Sequence, residues 1–282
     1  MIGELIQTAY TINQGRIAIN NQFSGTANFN TVVQGATSNT ANGTGSHAEG
    51  SEATAIGDYS HADGTRCITS GYSSHAEGFT TTAIGNWSHA EGTGTNSIGS
   101  LSHAEGLNTM SSGDTSHSEG ESTVTYGDSS HAEGLGCFSH GIWSHAEGDS
   151  TITYGASSHS EGNGTIASGI CSHAEGRYTI ANGDSSHVSG QYNTTNANYS
   201  EILGGSGNTT STSAIGSAVI ASSGITATQP YALYTNKIIL KITETPFGSG
   251  DERGETGSIA WDGSYFYWKT ALGWRRATGS TF

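Results

Sequence analysis

Small and larger side chains alternate along the middle of the chain with a period of two. In residues 73–92, SSHAEGFTTTAIGNWSHAEG, Ser74, Ala76 and Gly78 fall on one side of an extended strand, and His75 and Glu77 fall on the other. The looser half keeps the same parity: Thr81, Ala83 and Gly85 continue the small side, Thr82 and Ile84 the larger one. No apolar stripe has helical spacing, so the pattern predicts short strands joined by tight, glycine-bearing turns. One side of each strand is restricted to Ser, Thr, Ala, Gly or Cys. Such a side fits only the inside of a narrow coil, where two strands lie back to back.

The alternation restarts every fourteen residues. Histidine stands at 47, 61, 75, 89, 103, 117, 131, 145, 159, 173 and 187, and only His140 is outside the series. A carboxylate follows two residues after each of the first ten, and glycine one residue later. A second glycine series runs from Gly57 to Gly183. Fixed short repeats signal a stacked architecture that buries its core between neighbours. Each unit is predicted to form one rung of two strands and two turns, parallel to the rungs on either side. Eleven rungs give a shaft roughly 50 Å long.

Two segments, ATAIGDYSHADG (53–64) and TTAIGNWSHAEG (81–92), resemble the head repeats of trimeric autotransporter adhesins of the YadA type. The SHAEG wording is also similar to repeats in phage tail and neck-appendage proteins. The resemblance implies an all-β fold: a left-handed parallel β-roll (β-solenoid) of 14-residue rungs, packed as a homotrimer. It spans about residues 40–205 and speaks for the fold more than for the biological role.

A roll filled with Ala, Ser and Thr buries little apolar surface of its own, so an outer face needs a partner. The outer positions of one strand are His and an acid on nearly every rung. On the other they vary through Thr54, Ile68, Thr82, Asn96, Met110, Val124, Phe138 and Ile152. Constancy suggests that the first face meets neighbouring subunits. The expected trimer interface is therefore His47, Glu49, His61, Asp63, His75, Glu77, His89, Glu91, His103, Glu105, His117, Glu119, His131, Glu133, His145, Glu147, His159, Glu161, His173 and Glu175. The alternative places this ladder in solvent and the Ile and Met positions at the interface. A His paired with Glu would hold its proton more tightly in the fold, and a buried, unpaired His less tightly.

The recurring Ser, His and Glu invite a triad reading, but adjacent Ser and His project to opposite faces of a strand, so no catalytic residue is assigned. Three symmetry-related histidines could meet a metal on the trimer axis; the rival is that the rings stack or bond to Glu, and neither metal nor cofactor is assigned. The repeated threonines at 81, 95, 109, 123, 151, 165 and 179 share the inward face. Cys67 and Cys137 lie five units apart, too far for a disulfide, so all three cysteines are expected to be free thiols.

Charge separates the shaft from its ends. Residues 46–190 hold 17 acids against Arg66 and Arg177, and the whole chain has a formal charge of −15. An acidic shaft argues against nucleic acid, and no apolar run reaches the ~20 residues of a membrane span. The start, MIGELIQTAYTINQ, lacks the pattern of a signal peptide. Residues 1–45 read as an attachment or cap segment, 46–205 as the shaft, 206–230 as a transition and 231–282 as a small C-terminal β tip. Lys237 to Thr243 reads as a strand, and SIAW-DG-SYFYWK as a hairpin turned by Asp262-Gly263. Three of the five tryptophans lie in the last 22 residues. Trp261, Tyr265, Tyr267, Trp268, Trp274, Arg275 and Arg276 are candidates for receptor binding or for the core of a cap. The wording of this tip is similar to the tips of phage tail fibres. A non-enzymatic virion fibre is therefore expected, assembled in the host cytoplasm. Its N-terminal segment would join tail or baseplate proteins, and its tip a host surface receptor such as a glycan. The rival is a bacterial trimeric surface adhesin.

Overall fold

The computed structural model describes residues 31–35, 38–236, 259–261 and 265–278, and every helix or strand among them is a β-strand. The chain divides into two compact units, Met1–Tyr234 and Thr235–Phe282. Among the described residues no helix is long and apolar enough to cross a membrane.

The first unit is a parallel β-solenoid. A typical rung has one five-residue strand, such as His103–Leu107, and one two-residue strand, such as Met110–Ser111. The long strands form a fifteen-stranded sheet and the short strands a fourteen-stranded one, each in strict chain order. Register sets like upon like: His103 lies opposite His89 and His117, and Glu105 opposite Glu91 and Glu119. The parity read from the sequence holds, because Ala76, Thr81 and Ala83 are fully buried while His75, Glu77 and Thr82 face outward. Cys67 and Cys137 fill the same inward position, and Cys171 sits exposed at a corner, all three as free thiols.

Polar groups that recur in the repeat hold its corners. The serine before each histidine turns inward, and in nine of the eleven repeats its hydroxyl donates to the carbonyl of the glycine three residues earlier, as in Ser60 to Gly57 at 2.7 Å and Ser144 to Gly141 at 2.6 Å. An Asp or Asn at the same corner accepts from a backbone N–H one rung earlier, as Asp58 does from Thr44 at 2.7 Å and Asn86 from Tyr72 at 2.8 Å. These bonds tie each exposed corner to the next rung.

Two glycine series have separate causes. A Cβ on Gly85 would strike the carbonyl of Gly99 one rung on. Gly78 lies at φ +117° and its Cβ would meet the carbonyl of Gly92. The corners themselves are turned by side-chain-bearing residues in the left-handed region, among them Tyr59, Thr80, Trp87 and Leu101 at φ 55° to 58°. Glycine was the expected turn residue and does turn some corners, as at Gly45, Gly94, Gly136 and Gly164, but its two regular series serve close approach between rungs, and most corners accept other residues.

The solenoid is longer than the shaft read from the sequence. Thr31–Gly35 pairs with Ser46–Ser51, so a rung already stands before residue 46. Beyond residue 205 the same two sheets continue through Thr209–Thr210, Ala218–Ile220, Thr226–Ala227 and Leu233–Tyr234. Residues 206–230 are thus further rungs. Their loops absorb extra residues, and the strands keep inward alternation with larger groups: Val188, Ile202 and Val219 are buried. Two buried asparagines brace this wider end. Asn193 Oδ1 accepts from Asn208 N–H at 2.8 Å, and its Nδ2 donates to Ser189 O and Gly205 O.

The second unit contains one antiparallel sheet of Ile259–Trp261, Tyr265–Thr270 and Gly273–Thr278. A hairpin forms here as expected, but Trp261 pairs with Phe266, so its connection is longer than the two-residue Asp262-Gly263 turn read from the sequence. The strand expected over residues 237–243 and the segment 1–30 lie outside the described residues.

Candidate functional site

The long-strand sheet carries the histidines on its outer face. Because register places each over the next, ten consecutive pairs of imidazoles stack with centroids 4.6 to 4.9 Å apart and rings between parallel and 30°. The ladder runs about 48 Å at the ~4.8 Å spacing of strands. Each ring is about one-third exposed. In eight rungs Nε2 faces the carboxylate two residues on, as in His131 to Glu133 at 3.5 Å and His89 to Glu91 at 3.9 Å. His187 lies between Glu175 and Glu201, at 3.5 and 3.4 Å. All eleven Nε2 atoms are closed to solvent without a hydrogen-bond partner.

Within the single chain, burial outweighs the pull of the carboxylates. His61, His75, His103, His131, His145 and His173 hold their protons less tightly than an ordinary imidazole. Burial is the largest cause, neighbouring imidazoles add to it, and the carboxylates oppose it. The Glu partners sit at 3.5 Å or more and stay partly solvated, so their attraction is screened.

The stacked rings are poorly arranged for a metal. Five His-Glu-His sets, such as His131, Glu133 and His145, bring ligand atoms within 4.8 Å of one another. Their nearly parallel ring planes aim adjacent lone pairs the same way, and a common ion would need both nitrogens near 2.1 Å. Serine is equally unsuited to nucleophilic work, since Ser102 points inward and donates to Gly99 while His103 points out.

The other flank of the roll carries most of the exposed large apolar side chains, although Phe79, Leu107 and Leu135 are exposed at the ends of ladder strands and Asp58, Asp114, Asp128 and Asp184 stand at the apolar corner. Ile56, Ile84, Ile98, Tyr126 and Tyr154 share one position at the end of the short strand, with Ile68 beside them. The adjoining corner adds Tyr59, Tyr72, Trp87, Leu101, Ile142, Trp143 and Ile170. All are substantially exposed, from 38% for Ile68 to 66% for Trp143. Tyr72 meets Trp87 edge-on at 5.7 Å, and His140 stacks between Tyr126 and Tyr154. The sequence showed the Ile and Met positions, but the corner was not foreseen as part of the same surface. The signal was the run of Tyr, Trp and Leu one residue before the Ser-His pairs.

In the tip sheet the candidate residues part company. Tyr267 and Trp274 are buried, with the Lys269 ammonium 5.5 Å over the Trp274 ring. Trp268 and Arg275 are exposed and lie opposite each other in register. The side chains of Trp261, Tyr265 and Arg276 are outside the described residues.

A family model of the YadA head domain repeat matches the chain at residues 40–60, 48–66 and 76–102. No curated protein matches it.

Proposed function

From a chain that carries YadA head repeats, which point to a trimeric adhesin-type protein, we propose a non-enzymatic homotrimeric fibre or spike of a virion that attaches to the host surface. The observation that carries the assembly is the apolar flank. A roll whose own core is Ala, Ser and Thr leaves a band of large Ile, Tyr and Trp side chains in water along much of its length. Contiguous apolar surface of this extent marks an interaction site, and a second and third copy of the same chain offer it in matching register. The SHAEG wording and the aromatic, basic tip support a phage tail fibre or appendage, assembled in the host cytoplasm. There, the residues that precede the first rung would join other tail or baseplate proteins, and the tip would meet the receptor.

The His/Glu ladder is the competing subunit interface, favoured by the eleven Nε2 atoms that lack partners. Light scattering on the purified chain tests the assembly: a mass of three chains is expected, and a stable monomer at micromolar concentration refutes it. The rival setting, a bacterial surface adhesin, is separated by genome position. A gene among tail and baseplate genes supports the virion reading, and one among surface-protein genes overturns it.

A further inference from the structure

The two faces of the tip sheet differ. Tyr267 and Trp274 occupy the covered face, each 9% exposed. On the other face, register lines up Ile259, Trp268 and Arg275 as one row across the three strands. All three are exposed, Ile259 at 53% and Trp268 at 37%. Arg275 makes no hydrogen bond or ion pair among the described residues. Residues 265–278 contain Lys269, Arg275 and Arg276 and no Asp or Glu, whereas residues 46–190 carry a surplus of fifteen acids.

We propose that the Ile259–Trp268–Arg275 row is a binding site for an anionic saccharide, a sugar polymer bearing carboxylate or phosphate groups; this rests on the attachment role proposed above. A pyranose ring has an apolar face of C–H groups and a polar rim. The flat indole of Trp268 covers the first, at little conformational cost because it has only two side-chain torsions. A guanidinium in the neighbouring register position presents paired N–H donors that match a carboxylate or phosphate. Cross-strand neighbours have Cβ atoms about 4.5 to 5.5 Å apart, so one charged sugar unit spans both groups. Lys269 belongs to the other face, over Trp274, so Arg275 supplies the positive charge of this row.

The full-length chain is tested on surfaces coated with polygalacturonate, a phosphodiester-linked polysaccharide, neutral dextran and single-stranded DNA. Light scattering is run on every sample. The expected result is binding to one or both acidic polysaccharides and not to dextran. Trp268→Ala and Arg275→Ala should each bind at least ~10-fold more weakly, with the mass unchanged, and Arg275→Lys should recover part of the loss. Preference between the carboxylated and phosphorylated polymers identifies the anion. Absence of binding to both, equal binding to DNA, or unchanged binding by Arg275→Ala overturns the proposal while leaving the trimer untouched. A drop in mass in either variant also overturns it, because the row is then a subunit contact. A wild-type monomer refutes the assembly reading separately.

Discussion

Replacing Ile56, Ile84 and Ile98 together by serine tests whether the apolar flank holds subunits together. Serine already occupies this position at Ser70, Ser112 and Ser168, so the rung accepts it without rearrangement. The three isoleucines are 48%, 47% and 38% exposed in the single chain. About half of the 1.5 to 3 kcal/mol gained by burying a whole isoleucine is thus still available to an interface, roughly 0.7 to 1.5 kcal/mol each. Three residues on three chains sum to roughly 6 to 13 kcal/mol per trimer. At 1.4 kcal/mol per tenfold that is four to nine decades in a three-body dissociation constant, or about two to four and a half decades in midpoint concentration. Sedimentation velocity over a dilution series should show the wild type as three chains and the triple variant dissociating at far higher concentration. Circular dichroism of the dissociated chain should keep its β signature. A triple variant that stays trimeric with an unshifted midpoint refutes this interface. If His75→Gln, His89→Gln and His103→Gln then dissociate the trimer, the interface is the His/Glu face.

Acid should destabilise the fold. The six ladder histidines with lowered pKa contribute stability that is fully present above the ordinary value of 6.5 and is lost as pH falls through their folded values. Thermal melts at pH 7.5 and 5 should give a lower Tm in acid, and a higher one would mean that Glu attraction dominates. Gly85→Ala, in mid-shaft, should cost more than ~3 kcal/mol in denaturant titration, since the new methyl meets the Gly99 backbone rather than a movable side chain; a change within error would show that rungs can separate cheaply. Thr80 is a β-branched residue at φ 58° with its side chain in solvent, so Thr80→Asn should stabilise by about 0.5 to 1 kcal/mol. Of the three thiols, Cys171 alone should react rapidly with an aromatic disulfide reagent in the native protein, and all three in denaturant; rapid reaction of Cys67 would contradict its buried contact with Thr81 at 3.1 Å.

The fold was legible because a fourteen-residue period combined with strand parity leaves few other solutions. Ser74, Ala76, Thr81 and Ala83 had to face inward once His75 and Ile84 faced out, and they do. What the sequence concealed followed from relations between rungs. The carbonyl of Gly99 forbids a side chain at Gly85, whereas parity showed only that a small residue belongs there. The rungs after residue 205 lost the strict frame while keeping their pairing, because an insertion in a loop shifts numbering and leaves register intact. The ladder was visible as a constant column, but its chemistry was not. Only stacking at about 4.8 Å shows that each imidazole's nearest charged neighbours on protonation would be other imidazoles.

Closed threefold symmetry limits which surfaces can be used together. Around a threefold axis the directions from one subunit to its two neighbours differ by about 60°, whereas the outward normals of two back-to-back sheets differ by roughly 180°. Both sheets therefore cannot line the axis: a flattened roll must bring one sheet face and an adjoining corner to its neighbours. The larger group of exposed apolar side chains falls in that pattern, with Ile56, Ile84 and Ile98 on the short-strand face and Tyr59, Trp87 and Leu101 at the next corner, while Phe79, Leu107 and Leu135 end strands of the ladder face. On the proposed apolar packing the long-strand face looks outward, and its column of carboxylates holds ten of the seventeen acids of residues 46–190. On this packing, mutation of the ladder changes surface charge and acid stability, and mutation of the apolar corner changes mass. Measuring both quantities on both sets of variants separates the two faces without a structure of the assembly.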